Sequence, residues 1–129
     1  MPKYVPLDAG IRFDWTLSSL LDLHWEVYGF SAEFTLPDDD ANAIKVAFVG
    51  RTIVRVLDDA PFSGGDAWEG LAPTSFAYRV EGASFAAAQK VDWGSSEEAF
   101  FHYRLLSGQG CIDVLYAGEP MFRFTPNES

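Results

Sequence analysis

The residues of this chain with the chemistry to bind or transform something are few and scattered. His24 and His102 are the only histidines, and Cys111 is the only cysteine. A three-histidine zinc site is therefore excluded, and neither H-x-H nor H-E-x-x-H spacing occurs. A His24/Glu26/His102 cluster would need distant strands to meet, so surface histidines are expected. No G-x-S-x-G elbow is present, and Cys111 falls within a strand pattern, which points to a small packed thiol and not a nucleophile. Asp38, Asp40 and Asn42 repeat the opening of an oxygen-rich calcium loop, but Ala43 stands where the glycine belongs and Val49 where the glutamate belongs. A solvated acidic turn is expected there. Gly108-Gln109-Gly110 has no following helix to supply amide donors to a phosphate. No catalytic residue, metal site or cofactor is predicted.

Two sets of candidate binding residues remain. The polar set is Arg79, His102, Arg104 and Arg123, which strand alternation puts on the outward side together with Glu81 and Asp113. Arg12 and Arg55 also fall in strand patterns. If these strands neighbour one another, an acidic protein carries a local basic patch, and the fork of arginine suits a carboxylate. The plainer alternative is cross-strand ion pairing on a wet sheet, Arg104–Asp113 above all, at under ~1 kcal/mol per pair. The aromatic set is Phe62, Trp68 and Trp93. Phe62 and Trp68 lie in a glycine-rich stretch, 58–74, that reads as a long loop, and such rings dock a sugar or a protein partner. The alternative is a loop pinned to the core by its own apolar side chains.

The elements that must position these residues read as strands. Phe101–Leu106 and Cys111–Tyr116 flank Ser107-Gly108-Gln109-Gly110 with period-2 patterning, the signature of a hairpin. A turn centred on Gly108-Gln109 sets Arg104 opposite Asp113, Tyr103 opposite Val114 and Leu105 opposite Ile112, so charges meet charges and apolar residues meet apolar ones. One face of this hairpin is expected to be wet and the other buried. Ile11, Phe13, Trp15 and Leu17 alternate as a half-buried strand. Over 16–28 a strand with Asp22, His24 and Glu26 outward competes with a helix ending at Gly29, and the strand is preferred. Phe30, Ala32, Phe34 and Leu36 continue the alternation. Ala43–Val49 and Thr52–Leu57 read as a second hairpin across Gly50-Arg51, apolar on both faces and hence central. Further strands are expected at Phe76–Val80 and Met121–Phe124, with a short helix at Ser84–Lys90 and a frayed tail after Thr125. The sum is a mainly β fold, an antiparallel β-sandwich or open barrel of about eight or nine short strands. An α+β fold with an N-terminal helix is the alternative.

Phe76-Ala77-Tyr78-Arg79-Val80-Glu81-Gly82, His102-Tyr103-Arg104 and Cys111-Ile112-Asp113-Val114-Leu115 resemble segments of an uncharacterised family of small bacterial single-domain proteins. The resemblance implies a bacterial, stand-alone domain and brings no activity with it.

Composition bounds the function. At 129 residues, with 48% hydrophobic and 16% aromatic content, the chain suits a single domain, 1–129, that needs neither disulfide nor metal to hold its core. Nine Lys and Arg face 19 Asp and Glu, a net charge of −10. Such a surface repels phosphate backbones and anionic headgroups, so neither nucleic acid nor membrane is an expected partner; a basic protein is. A lone thiol and an N-terminus without an apolar signal core fit the cytoplasm. The expected function is a non-enzymatic, acidic protein-binding domain, of which an immunity protein neutralising a basic toxin is one form. The alternative is a β-sandwich that binds a small molecule or carbohydrate. Either a monomer or a homodimer paired through exposed edge strands fits.

Overall fold

The computed structural model of the protein describes residues 3–26, 29–37, 39–57, 74–81, 101–108 and 110–126. These form the strands β1 (Lys3–Pro6), β2 (Leu20–Glu26), β3 (Gly29–Leu36), β4 (Asp39–Val49), β5 (Thr52–Leu57), β6 (Ala77–Glu81), β7 (Phe101–Ser107), β8 (Gly110–Tyr116) and β9 (Met121–Pro126). A single 3₁₀ turn, Trp15–Leu17, accompanies them. One antiparallel sheet has the order β1-β6-β7-β8-β5 and the other β2-β3-β4-β9, and neither closes into a barrel. The expected mainly β, antiparallel fold is the one found. Among the described residues no helix is long and apolar enough to cross a membrane.

The core forms because period-2 patterning turns alternate residues to one side of each strand. Phe30, Ala32 and Phe34 of β3 and Ile44, Val46 and Phe48 of β4 face Tyr103 and Leu105 of β7 and Ile112 and Val114 of β8 in one buried cluster. Aromatic rings lock the two sheets together. Phe48 lies 5.8 Å from Tyr103 and 5.5 Å from Tyr116, and Phe34 lies 5.6 Å from Phe76. Contacts of this kind contribute about 0.5–1.5 kcal/mol each beyond the area they bury.

The β7–β8 hairpin has the register read from the sequence, with Arg104 paired to Asp113, Tyr103 to Val114 and Leu105 to Ile112. Its burial does not follow the expectation of one wet face. Every residue from His102 to Ser107 and from Gly110 to Leu115 is buried. On the face turned away from the other sheet, Tyr4, Tyr78, Val80, Leu106 and Cys111 form a second apolar cluster. The hairpin is central in its sheet, flanked by β6 and β5, so its polar residues are enclosed with this second cluster.

Three local expectations are corrected. Ala43–Val49 and Thr52–Leu57 are not a hairpin: β4 lies between β3 and β9 in one sheet, while β5 pairs with β8 in the other. A hairpin across Gly50-Arg51 would place Arg55 opposite apolar Val46, whereas pairing with β8 places it opposite Asp113. Gly50, at φ 129°, makes the corner between the sheets. Nor is this stretch covered on both faces, since among the described residues β5 is an edge strand and Val49 and Val56 are exposed. Ile11–Leu17 is not a strand, because the Asp14 carboxylate accepts the backbone N–H and the hydroxyl of Thr16 and winds the chain into the 3₁₀ turn. Residues 20–26 are strand, as preferred over helix. The helix expected at Ser84–Lys90 and the loop residues 58–73 lie outside the described residues.

Candidate functional site

Antiparallel pairing across β5, β8, β7 and β6 lines up Arg55, Asp113, Arg104 and Tyr78 in one row. Cross-strand partners share a face, so the side chains of Arg55, Asp113 and Arg104 converge. His102 sits two residues from Arg104 on the same face, and Tyr4 enters from β1. Asp113 is fully buried at the centre. Its Oδ1 accepts from Arg104 Nε at 2.6 Å and lies 2.7 Å from His102 Nε2. Its Oδ2 accepts from Arg55 Nη2 at 2.7 Å, Arg55 Nε at 3.1 Å and Arg104 Nη2 at 3.2 Å. Arg104 then donates through Nη1 to the Tyr4 hydroxyl at 2.6 Å.

The electrostatics follow from this geometry. Burial alone would push the Asp113 carboxyl upward. The bonds from His102 and Arg104, the Arg104 charge and the bond from Arg55 outweigh it and hold the group well below the usual carboxylate range. Asp113 is therefore ionised and can only accept, which requires the proton of the His102–Asp113 bond to sit on Nε2. Burial also pushes the Cys111 thiol up to about 11, with the Asp113 charge adding to it and the arginines opposing. Burial likewise pushes the Tyr4 hydroxyl up to about 12 against the pull of Arg104. Both oxygens of Asp113 are thus engaged by cationic or imidazole donors, and the thiol and phenol beside it are held protonated at neutral pH. The arrangement is suited to locking strands together.

The candidate residues named from the sequence divide accordingly. His102 and Arg104 meet, but in the interior: His102 is 2% and Arg104 3% exposed, so neither is the surface group expected. Arg55 joins them and reaches solvent. Arg79 lies on the opposite face of β6, paired to Tyr103, with its guanidinium 5.6 Å from the Phe101 ring and 3.4 Å from Glu81. The expected grouping of Arg79 with His102 fails because Val80, one residue along, is the partner of His102. Arg123 belongs to the other sheet, paired to Lys45. Arg12 lies in irregular chain between β1 and β2. Phe62, Trp68 and Trp93 lie outside the described residues. Among the described residues no group of three or more His, Cys, Asp or Glu is placed to hold a metal ion.

The sequence reading missed a more accessible feature, the β2 edge. Trp25 leans on Phe30, with ring centroids 5.2 Å apart, yet stays 60% exposed. Leu21 is exposed at a bulge between Leu20 and Asp22, and Asp22 pairs with Glu33 of β3. The signal was present in the clean polar face of Asp22 and His24 beside a tryptophan, a composition that fits an edge better than a covered strand. Searches against protein families, curated proteins and solved structures find no match to this chain.

Proposed function

We propose that this chain is a non-enzymatic binding domain that receives an extended, basic segment of another protein along β2. The observation that carries the reading is Trp25, a large ring 60% exposed on a strand paired on one side only among the described residues. An edge strand offers a row of backbone donors and acceptors to an incoming strand. Trp25 and exposed Leu21 supply apolar contact, and Asp22 and Glu33 supply the charge that selects arginine or lysine in the partner. The net charge of −10 draws such a partner in from a distance, as in an immunity protein that meets a basic toxin. The saturated carboxylate at Asp113 supports a binding role, because both of its oxygens already accept from Arg55, Arg104 and His102.

The test is calorimetric titration with a synthetic peptide that alternates arginine and valine. Binding is expected in about 20 mM salt, weakening about tenfold or more in about 300 mM salt. Trp25→Ala should abolish it while leaving the far-UV spectrum unchanged. Affinity indifferent to salt, or binding that survives Trp25→Ala, would overturn the proposal.

A further inference from the structure

We propose that the outer face of the four-stranded sheet is a binding site for a small amphiphilic carboxylate, an aliphatic acid of medium chain length. The face is defined by register. Gly29 pairs with Val49, Ser31 with Ala47, Ala47 with Met121, and Lys45 with Arg123. These residues alternate with Phe30, Val46, Phe48 and Phe122, whose side chains belong to the core. The result is a depression of about 450 Å³ on a sheet surface that would otherwise be flat. That volume is within the range of small-ligand sites, ~300–1,000 Å³.

Its shape comes from side-chain size. Gly29, Ser31 and Ala47 make a shallow floor, and longer chains stand around it. At one end are two cations, Lys45 and Arg123, side by side on adjacent strands; at the other are Val49 and Met121, 59% and 58% exposed. Neither cation makes an ion pair among the described residues. Glu33 stands across from Lys45 on the side away from Arg123, so an anion seated between the two cations has Lys45 between it and the glutamate. In a chain of net charge −10, two neighbouring cations that make no ion pair among the described residues form a local exception. An anion held there is the complement. From the Lys45–Arg123 row to Val49 is four residues along β4, roughly 13 Å. A carboxylate with a tail of roughly eight carbons spans that length, with its head between the cations and its tail over Ala47 toward Val49 and Met121.

This site lies on β3, β4 and β9, and does not depend on the reading of the β2 edge. The experiment is calorimetric titration of the intact protein with octanoate, octan-1-ol and inorganic phosphate, with amide resonances followed to locate the binding. Octanoate is expected to bind saturably and to shift the Ser31 and Ala47 resonances. The alcohol and phosphate, each lacking one half of the ligand, should bind at least tenfold more weakly. The double variant Lys45→Gln/Arg123→Gln should lose tenfold or more in octanoate affinity. So should Ala47→Leu, which fills the floor and keeps both cations. Absence of octanoate binding overturns the proposal. So does equal binding of the alcohol or of phosphate, or affinity unchanged in either well-folded variant. Trp25→Ala should leave octanoate binding as it is, which separates failure of this site from failure of the β2 edge.

Discussion

Asp113 joins three strands through side chains as well as through the sheet ladder. Arg55 comes from β5, Asp113 from β8, and Arg104 and His102 from β7. Removing a buried carboxylate from such a cluster leaves Arg104 charged and uncompensated. Asp113→Asn is therefore expected to cost about 3–5 kcal/mol in urea unfolding; a loss under about 1 kcal/mol would show that the cluster contributes little. The pH dependence has a definite sign. The folded carboxyl is held below its unfolded value of about 3.9, so its contribution is fully present above that value and is lost as pH falls below about 4. Stability measured between pH 7 and about pH 2 should show this acid limb in the natural protein, and a shallower limb in Asp113→Asn. The pairing of Arg104 with Asp113 was legible from the hairpin alone. Its burial was not, because a charged pair at matched register looks the same in sequence on a wet sheet and beneath a covered one.

Among the elements, the 3₁₀ turn and the two residues after it clasp the sheets at one end. Ser18 Oγ donates to the Thr35 carbonyl of β3 at 2.8 Å, and its own carbonyl accepts from Gly108 N, in the β7–β8 turn, at 2.8 Å. Ser19 and Thr35 add a reciprocal pair, Ser19 N to Thr35 Oγ1 and Thr35 N to the Ser19 carbonyl, both 2.8 Å. Gly108 is small because the turn lies directly against this clasp. A Cβ at that position would collide with the Thr16 carbonyl oxygen and stand 3.1 Å from that of Ser18. Gly108→Ala is expected to cost about 1–3 kcal/mol by denaturant unfolding, as overpacking against backbone does. An unchanged midpoint would mean that the clasp yields. The sequence marked this glycine as a hairpin-turn residue; its second role depends on a segment some ninety residues earlier. The β4–β5 hairpin is the opposite case. A Gly-containing pair between two apolar runs satisfies the local rule, but β3, β9 and β8 all compete for those runs, and the ladder that sets Arg55 against Asp113 prevails.

For the whole molecule, the net charge of −10 sets a repulsion that salt relieves. The Asp113 cluster is enclosed and little screened, whereas the exposed acidic residues are screened within a Debye length of about 10 Å at 0.1 M. The thermal midpoint should therefore rise, by roughly a few degrees, between about 20 and 300 mM salt in scanning calorimetry. A fall would show that exposed ion pairs outweigh repulsion. The same surface separates the two proposed ligands. Asp22 on the β2 edge and Glu33 beside it on β3 are acidic, and the β4–β9 side carries Lys45 and Arg123, so charge across this one sheet runs from negative to positive.

The sequence by itself determined one complete hairpin and most of the strands, though not β1 and not the 3₁₀ turn that replaces the strand expected at Ile11–Leu17. Alternation of apolar residues is a local signal, and pairing across a four-residue turn involves neighbours whose partners the chain can scarcely exchange. It also determined the acidity. Only the tertiary structure decided which runs share a sheet, that His102, Arg104 and Asp113 lie inside, that Arg79 and Arg123 do not join them, and that Trp25 stays exposed. Those outcomes depend on contacts between residues far apart in the chain, Arg55 and Asp113 being 58 positions distant. Burial of a face is set by what packs against it, and period-2 patterning carries no record of that.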